Sequence, residues 1–238
     1  DLHLSIRRQR QMCIRDRKWR HSIPNFLLTL TTIIVNFFFA FLLVFAADWT
    51  NENNFGVIHL VNSTTLVSVI LGLLVLDLIG AYLPHLVQHK VKFLWYIHIV
   101  HHTDHKVDTT TANRHHPFES VVRFVFTFIG IFVSGAPIGL VLMYQSLSVI
   151  ASQFNHANIQ ISNKVDKLLS YVIVSPNMHK VHHHFELPYT DSNYGNIFSI
   201  WDRIFGTYME LSKDKITYGA VSYTHLRAHE TREDRVCR

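Results

Sequence analysis

The chain has 238 residues, of which 48% are apolar and only 16% charged; that length holds one or two domains, and a positive mean hydropathy is unusual for soluble ones. With apolar runs long enough to cross a bilayer, this excludes a purely soluble globular enzyme, a disordered chain and a disulfide scaffold. The net charge of +5 suggests nucleic acid or anionic lipid as a partner, but nine of the 22 basic residues lie in the two ends.

Those ends differ from the middle. Residues 1–17 carry five Arg and two Asp without apolar periodicity, and residues 221–238 carry four Arg and three acids. The stretches QMCIRDR and VSYTHLRAHET resemble translated sequencing-adapter tails, so both ends are read as non-native and set aside; the alternative is a natural basic arm and a polar tail. The body, 18–220, then has a net charge of +1, and nucleic acid drops out as a partner. Both cysteines, Cys13 and Cys237, lie in the tails, while fifteen of the eighteen histidines remain in the body. A thiolate metal site and a cysteine nucleophile are thereby excluded for the body.

In chain order, residues 24–47 contain no charge and suffice to span about 30 Å of hydrocarbon. A second apolar run, about 63–83, carries one charge, Asp77, near its end. Residues 121–153 form a third stretch, broken at Ser134-Gly135-Ala136-Pro137 into two helices, 121–134 and 137–153. Segments 85–120 and 155–212 are mixed and read as a helical cap. The expectation is an all-α integral membrane protein with about four transmembrane helices.

Charge sets the topology. The loop from Asp48 to Gly56 has no Lys or Arg and the 134–137 turn has no charge, whereas all thirteen basic residues of the body fall on the opposite side. The positive-inside rule makes that side cytoplasmic. Every histidine cluster lands there, and only His59 falls outside.

His85 and His89 are four apart, His98, His101 and His102 follow the i, i+3, i+4 spacing, His179, His182 and His183 repeat it, and His156 follows the fourth span. Each group can aim two or three imidazoles from one helical face. A lone HxxxH pair is weak evidence. Two HxxHH boxes with two further elements on one membrane face are hard to assign to packing, because adjacent histidines cost helix propensity. Imidazole suits Zn, Cu, Fe and Ni, and the number of candidates exceeds one tetrahedral site, so two metal ions are expected. Neither HExxH nor the Glu-x-x-His pairs of carboxylate-bridged di-iron bundles occur in the body.

The stretches DLIGAYLPHLVQH (77–89), WYIHIVHH (95–102), RHHPFE (114–119), FNHAN (154–158), PNMHKVHH (176–183), DSNYG (191–195) and WDRIFGTY (201–208) resemble the fatty acid hydroxylase and sterol desaturase superfamily of membrane histidine-box di-iron oxygenases. The resemblance covers roughly residues 77–208 in the family's order. It implies two Fe ions, O2 as co-substrate, and hydroxylation or desaturation of a lipid C–H bond. Carried over, the ligands are His85, His89, His98, His101, His102, His156, His179, His182 and His183. Where some members have a further histidine, this chain has Gln160, so water oriented by Asn158 or Gln160 is expected in that place. His116 is expected to hydrogen-bond a ligand or cap the next helix, and Asp77 to accept from a ligand imidazole. Asp191 and Asn193 are also placed behind the ligands, and His105 and His184 in solvent.

No Rossmann, flavin or haem motif occurs in the body, so electrons come from a separate carrier protein. The 121–153 pair is a candidate wall for the lipid tail, or plain lipid-facing helix. Two competing readings are a metal transporter, or metal-binding protein, using the same histidines, and a haem cytochrome. The first wants ionisable groups in mid-span; the second wants histidines paired across spans. Which lipid, and what oligomeric state, the sequence leaves open.

Overall fold

The uncharged run after Pro24 commits the chain to a long helix, since in hydrocarbon every backbone polar group must bond within the segment. In the computed structural model, which describes residues 2–61, 64–159 and 161–220, with side chains for Trp19 and for residues 21 onward in those ranges, this is helix α1, Leu2–Glu52. It passes through Pro24, where a proline removes only one helical bond, so it also continues through the segment read as a tail. The tail at 221–238 lies outside the described residues. Leu27, Leu30, Ile34, Phe37, Phe38 and Phe41 are exposed along α1, the lipid-facing side expected of a spanning helix.

After the short α2 (Val57–Leu60), the second apolar run forms α3 (Thr65–Asp77), a π-helical turn (Leu78–Tyr82) and α4 (Leu83–Lys90). One extra residue in a turn rotates everything beyond it by about 100°. The turn sits immediately before His85 and His89, whose imidazoles face the cap. Helix α5 (Lys92–His102) doubles back beside α4. Helix α6 (Pro117–Ser134) ends at Gly135, whose φ of 73° is left-handed, and Pro137 precedes α7 (Ile138–His156).

Helix α6 runs parallel to α1: Arg114 just before it donates to Asn25 at 2.8 Å, Phe124 stacks on Phe39 at 4.3 Å, and Phe132 lies 5.5 Å from Trp49. The α1–α2 loop meets the α6–α7 turn, where Gly56 (φ 107°) approaches so closely that a Cβ on it would lie 2.3 Å from Gly135 N. Both connections without Lys or Arg therefore sit at the end of the bundle away from the histidines. Ala46, Ala47, Leu76, Ile131, Leu140 and Val141 form the core where these helices converge.

Among the described residues there are no strands, only isolated bridges. This is an all-α integral membrane protein with three helical segments long and apolar enough to cross a bilayer, His21–Leu60, Thr65–Lys90 and Pro117–Ser134. The fourth expected crossing, α7, is not among them: Tyr144, Gln145, Ser146, Ser148, Ser152 and Gln153 dilute its apolar face. It returns the chain to the histidine end all the same.

The cap contains α8 (Asn163–Leu169), α9 (Pro176–His182) and α10 (Ile200–Ile204). It is fastened along the second span. Asp77, fully buried, accepts from Ile197 N (3.3 Å), Phe198 N (3.1 Å) and Trp201 Nε1 (3.0 Å). Tyr82 stacks on Phe205 at 5.2 Å and shares a hydrogen bond with Thr207 at 2.9 Å.

Replacing Asp77 with Ala strands these donors in a dry site and should cost roughly 3 kcal/mol, read as unfolding in detergent micelles. Asp77→Asn, which keeps one acceptor oxygen, should lose less, and a change below about 0.5 kcal/mol in the Ala variant would remove Asp77 as the anchor.

Candidate metal centre

On an α-helix, positions i and i+4 share a face while i+3 is displaced around the axis by about 60° from it. An HxxHH box therefore points two ways. His98 and His102 of α5 join His85 and His89 of α4 and His182 of α9 in one group; His101 of α5 joins His156 at the end of α7, His179 of α9 and His183 at the C-terminal end of α9 in another. Within each group the ligating nitrogens lie within 4.8 Å of one another, and all nine residues are buried. All nine histidines expected from the sequence are brought together. Each box, expected to aim at one point, instead divides between two. The first box gives two rings to the first group and one to the second; the second box does the reverse. The groups adjoin, with the His102 and His183 rings 4.8 Å apart and the His179 and His182 rings 5.2 Å apart.

The hydrogen bonds fix which nitrogen is free. His85 Nδ1 donates to Tyr194 O (2.8 Å), His182 Nδ1 to Ser192 O (2.7 Å) and His156 Nδ1 to Ser152 O (2.8 Å), and a carbonyl can only accept. His89 Nδ1 lies 3.3 Å from Asp191 Oδ1, whose other oxygen takes Lys90 Nζ at 2.7 Å. The loop 191–194 thus orients three rings of the first group. The remaining Nε2 of His85, His89, His98 and His182 are buried without a partner, as are both nitrogens of His102.

In the second group, His156 Nε2 lies 3.1 Å from His101 Nε2, 3.0 Å from His179 Nε2 and 3.1 Å from His183 Nε2. A neutral imidazole has one N–H, and that of His156 is already given to Ser152. Mutual hydrogen bonds cannot satisfy four nitrogens converging on one point, whereas a cation can. Burial, followed by the neighbouring imidazoles, holds His101, His102, His179 and His183 well below the ordinary histidine value and pushes His182 down to about 3. These rings are neutral at physiological pH, the state that ligates metal. The residues present fit two metal ions with all-imidazole coordination.

The supporting residues depart from several expectations. Asp77 does not touch a ligand imidazole: its carboxylate is spent on the backbone of 197–198 and on Trp201. Asn158 is exposed, and Gln160 lies outside the described residues. Asn193 is buried but bonds to the Met178 and Met209 carbonyls and Met209 N, holding the loop rather than a ligand. His116 caps α6 through Nδ1, accepting from Phe118 N at 3.2 Å. His184, expected in solvent, is buried and accepts from Thr217 N at 3.0 Å, whereas His105 is exposed.

The sequence reading gave Glu119 no role, although RHHPFE contains it. Its carboxylate is fully buried, with Oε1 3.2 Å from His98 Nδ1, 2.9 Å from His115 Nδ1 and 3.6 Å from Arg123 Nε. His115 in turn stacks on His101 at 4.7 Å. One carboxylate thereby braces a ring of the first group directly and a ring of the second through His115. The only sequence signal was an acid in the first turn of a helix beside two histidines. Asp202 was likewise unassigned: it accepts from Tyr194 N (2.7 Å) and Gly195 N (2.9 Å), and so sets the carbonyl that holds His85.

The fatty acid hydroxylase family model matches residues 69–207, a stretch that contains all nine clustered histidines, Glu119 and Asp202. The chain is similar to the ornithine lipid hydroxylase of Rhizobium tropici (26% identical over 140 residues, 59% of this chain and 41% of that protein). It is also similar to the alkylglycerol monooxygenases of Caenorhabditis elegans (30% over 144 residues, 59% and 27%) and Homo sapiens (28% over 145 residues, 59% and 30%). The chain therefore spans between about a quarter and two fifths of the length of these relatives. No solved structure matches it.

Removing Glu119 tests the bracing. Glu119→Ala should weaken metal retention about 10- to 100-fold in chelator competition, while Glu119→Gln, which can still accept from one ring, should fall between it and the parent. Equal retention in all three would show that Glu119 only fills space.

Proposed function

The chain belongs to the fatty acid hydroxylase family, and on that premise we propose that it is a membrane di-iron oxygenase acting on a lipid C–H bond. The observation that carries this reading is the convergence of nine buried imidazoles into two groups, eight of them with a nitrogen that has no hydrogen-bond partner. One ion would be held by His85, His89, His98, His102 and His182, the other by His101, His156, His179 and His183. Two irons bound there would supply the activation of O2 and the cleavage of the C–H bond. In hydroxylation one oxygen atom enters the lipid and the other leaves as water; in desaturation hydrogen is removed and no oxygen stays. In either case the balancing electrons come from a separate carrier protein.

The protein's own contribution is geometric. Ser152, Ser192 and Tyr194 carbonyls hold Nδ1 protons and so present Nε2 inward. Glu119 and Asp191 brace His98 and His89 from behind. Burial excludes the water that would otherwise compete for the ions. The distribution of Lys and Arg supports a cytoplasmic position for the centre. Lipid as the substrate class is supported by the names of the relatives and by the spanning helices. Against metal transport, the ionisable residue within the second span, Asp77, is engaged in fastening the cap and lines no path.

Expression of the chain in a membrane host, followed by metal analysis and lipid mass spectrometry, tests this against the His101→Ala, His182→Ala variant. A lipid that gains one oxygen or loses two hydrogens only with intact clusters is the expected result. Identical lipid profiles, with zinc bound in place of iron, would favour transport or storage of metal.

A further inference from the structure

A cavity of about 360 Å³ lies between α1, α6 and α7, within the range of sites that hold small molecules. At one end α1 and α7 meet in the Ala46, Ala47, Leu140, Val141 core. Toward the histidines they part, and the exposed Asn36 and Ala40 of α1 and Gln145 and Val149 of α7 form the rim of an opening that faces the bilayer. The lining is graded. Leu43, Val44, Ile138 and Val141 lie at the closed end; Thr32, Asn36, Arg123 and Gln145 stand nearer the histidines; and His115 closes the far wall. That ring is stacked on His101, so the cavity stops one imidazole short of the second group.

Polar side chains are costly in a spanning segment and mark sites that act on something. Among the described residues, Asn36 and Gln145 make no hydrogen bond, and the Arg123 guanidinium has only Nε at 3.6 Å from Glu119. Three side chains with unused N–H donors thus border one groove at membrane depth, above an apolar pocket closed at the opposite end.

We propose that this groove admits a single lipid sideways from the bilayer and holds it by an oxygen-bearing head, with Asn36, Arg123 and Gln145 as donors and the tail in the closed end. The carbon presented to the histidines is then one beside the head, not the tail methyl. The choice of reacting carbon rests on the oxygenase reading above; the binding itself does not.

The test uses the full chain, metal-loaded, in phosphatidylcholine nanodiscs, with hexadecanoic acid carrying a diazirine either at the tail end or beside the carboxyl, and diazirine-bearing hexadecane as control. Peptide mapping after illumination should place the tail-end adducts at 40–44 and 138–142 and the head-end adducts at 113–123. The variant Asn36→Leu, Gln145→Leu should label about tenfold less with the acid, as loss of two hydrogen bonds implies, with hexadecane labelling and metal content unchanged. Reversed adducts, labelling spread evenly over the lipid-facing helices, or a double variant that labels like the parent would each overturn the proposal. Because labelling needs no turnover, adducts in the expected places with an unchanged lipid profile would sink the oxygenase reading alone.

Discussion

The structure depends on a constraint that hydrogen bonding within the protein cannot meet. Nine imidazoles are taken out of water, their outer nitrogens are committed to carbonyls or carboxylates or left bare, and their inner nitrogens face one another at close range. A buried polar atom without a partner costs free energy, and here such atoms occur in two clusters of converging lone pairs. Cations resolve that arrangement, and the surrounding fold makes sense as the frame that maintains it.

That frame has two fastenings. The spans bring α4, α5 and the end of α7 to one end of the bundle, while the cap, which carries α9 and the loop 191–195, is laid against the second span by Asp77 and Tyr82. Asp202 then stiffens the loop, and the loop's carbonyls orient the rings. The path runs from a buried carboxylate in a membrane helix, through backbone amides, to the tautomer of a histidine over a hundred residues earlier in the chain.

Much of this was legible in the sequence. Apolar runs without charge marked the spans, because bilayer thickness sets their length, and the i, i+3, i+4 spacing marked the histidines, because helical geometry puts them on a face. What stayed hidden is tertiary. The division of each HxxHH box between two groups depends on where the partner helices lie. The π turn at 78–82 precedes His85 without any repeat pattern to announce it. The carbonyls of Ser192 and Tyr194 carry no side-chain signature. Asp77 read as a neighbour of the metal because an ionisable group in a span suggests function; its real partners are amides some 120 positions away, a distance that no local pattern encodes. Glu119 passed unnoticed for the opposite reason, since an acid in a first helical turn looks ordinary.

The central claim is that two ions sit in all-nitrogen sites. X-ray absorption spectroscopy with elemental analysis on the purified protein tests it most directly. The account predicts about two iron atoms per chain in shells of imidazole nitrogen, with any oxygen contributed by water. One atom or fewer per chain, or a shell containing sulfur, would contradict it.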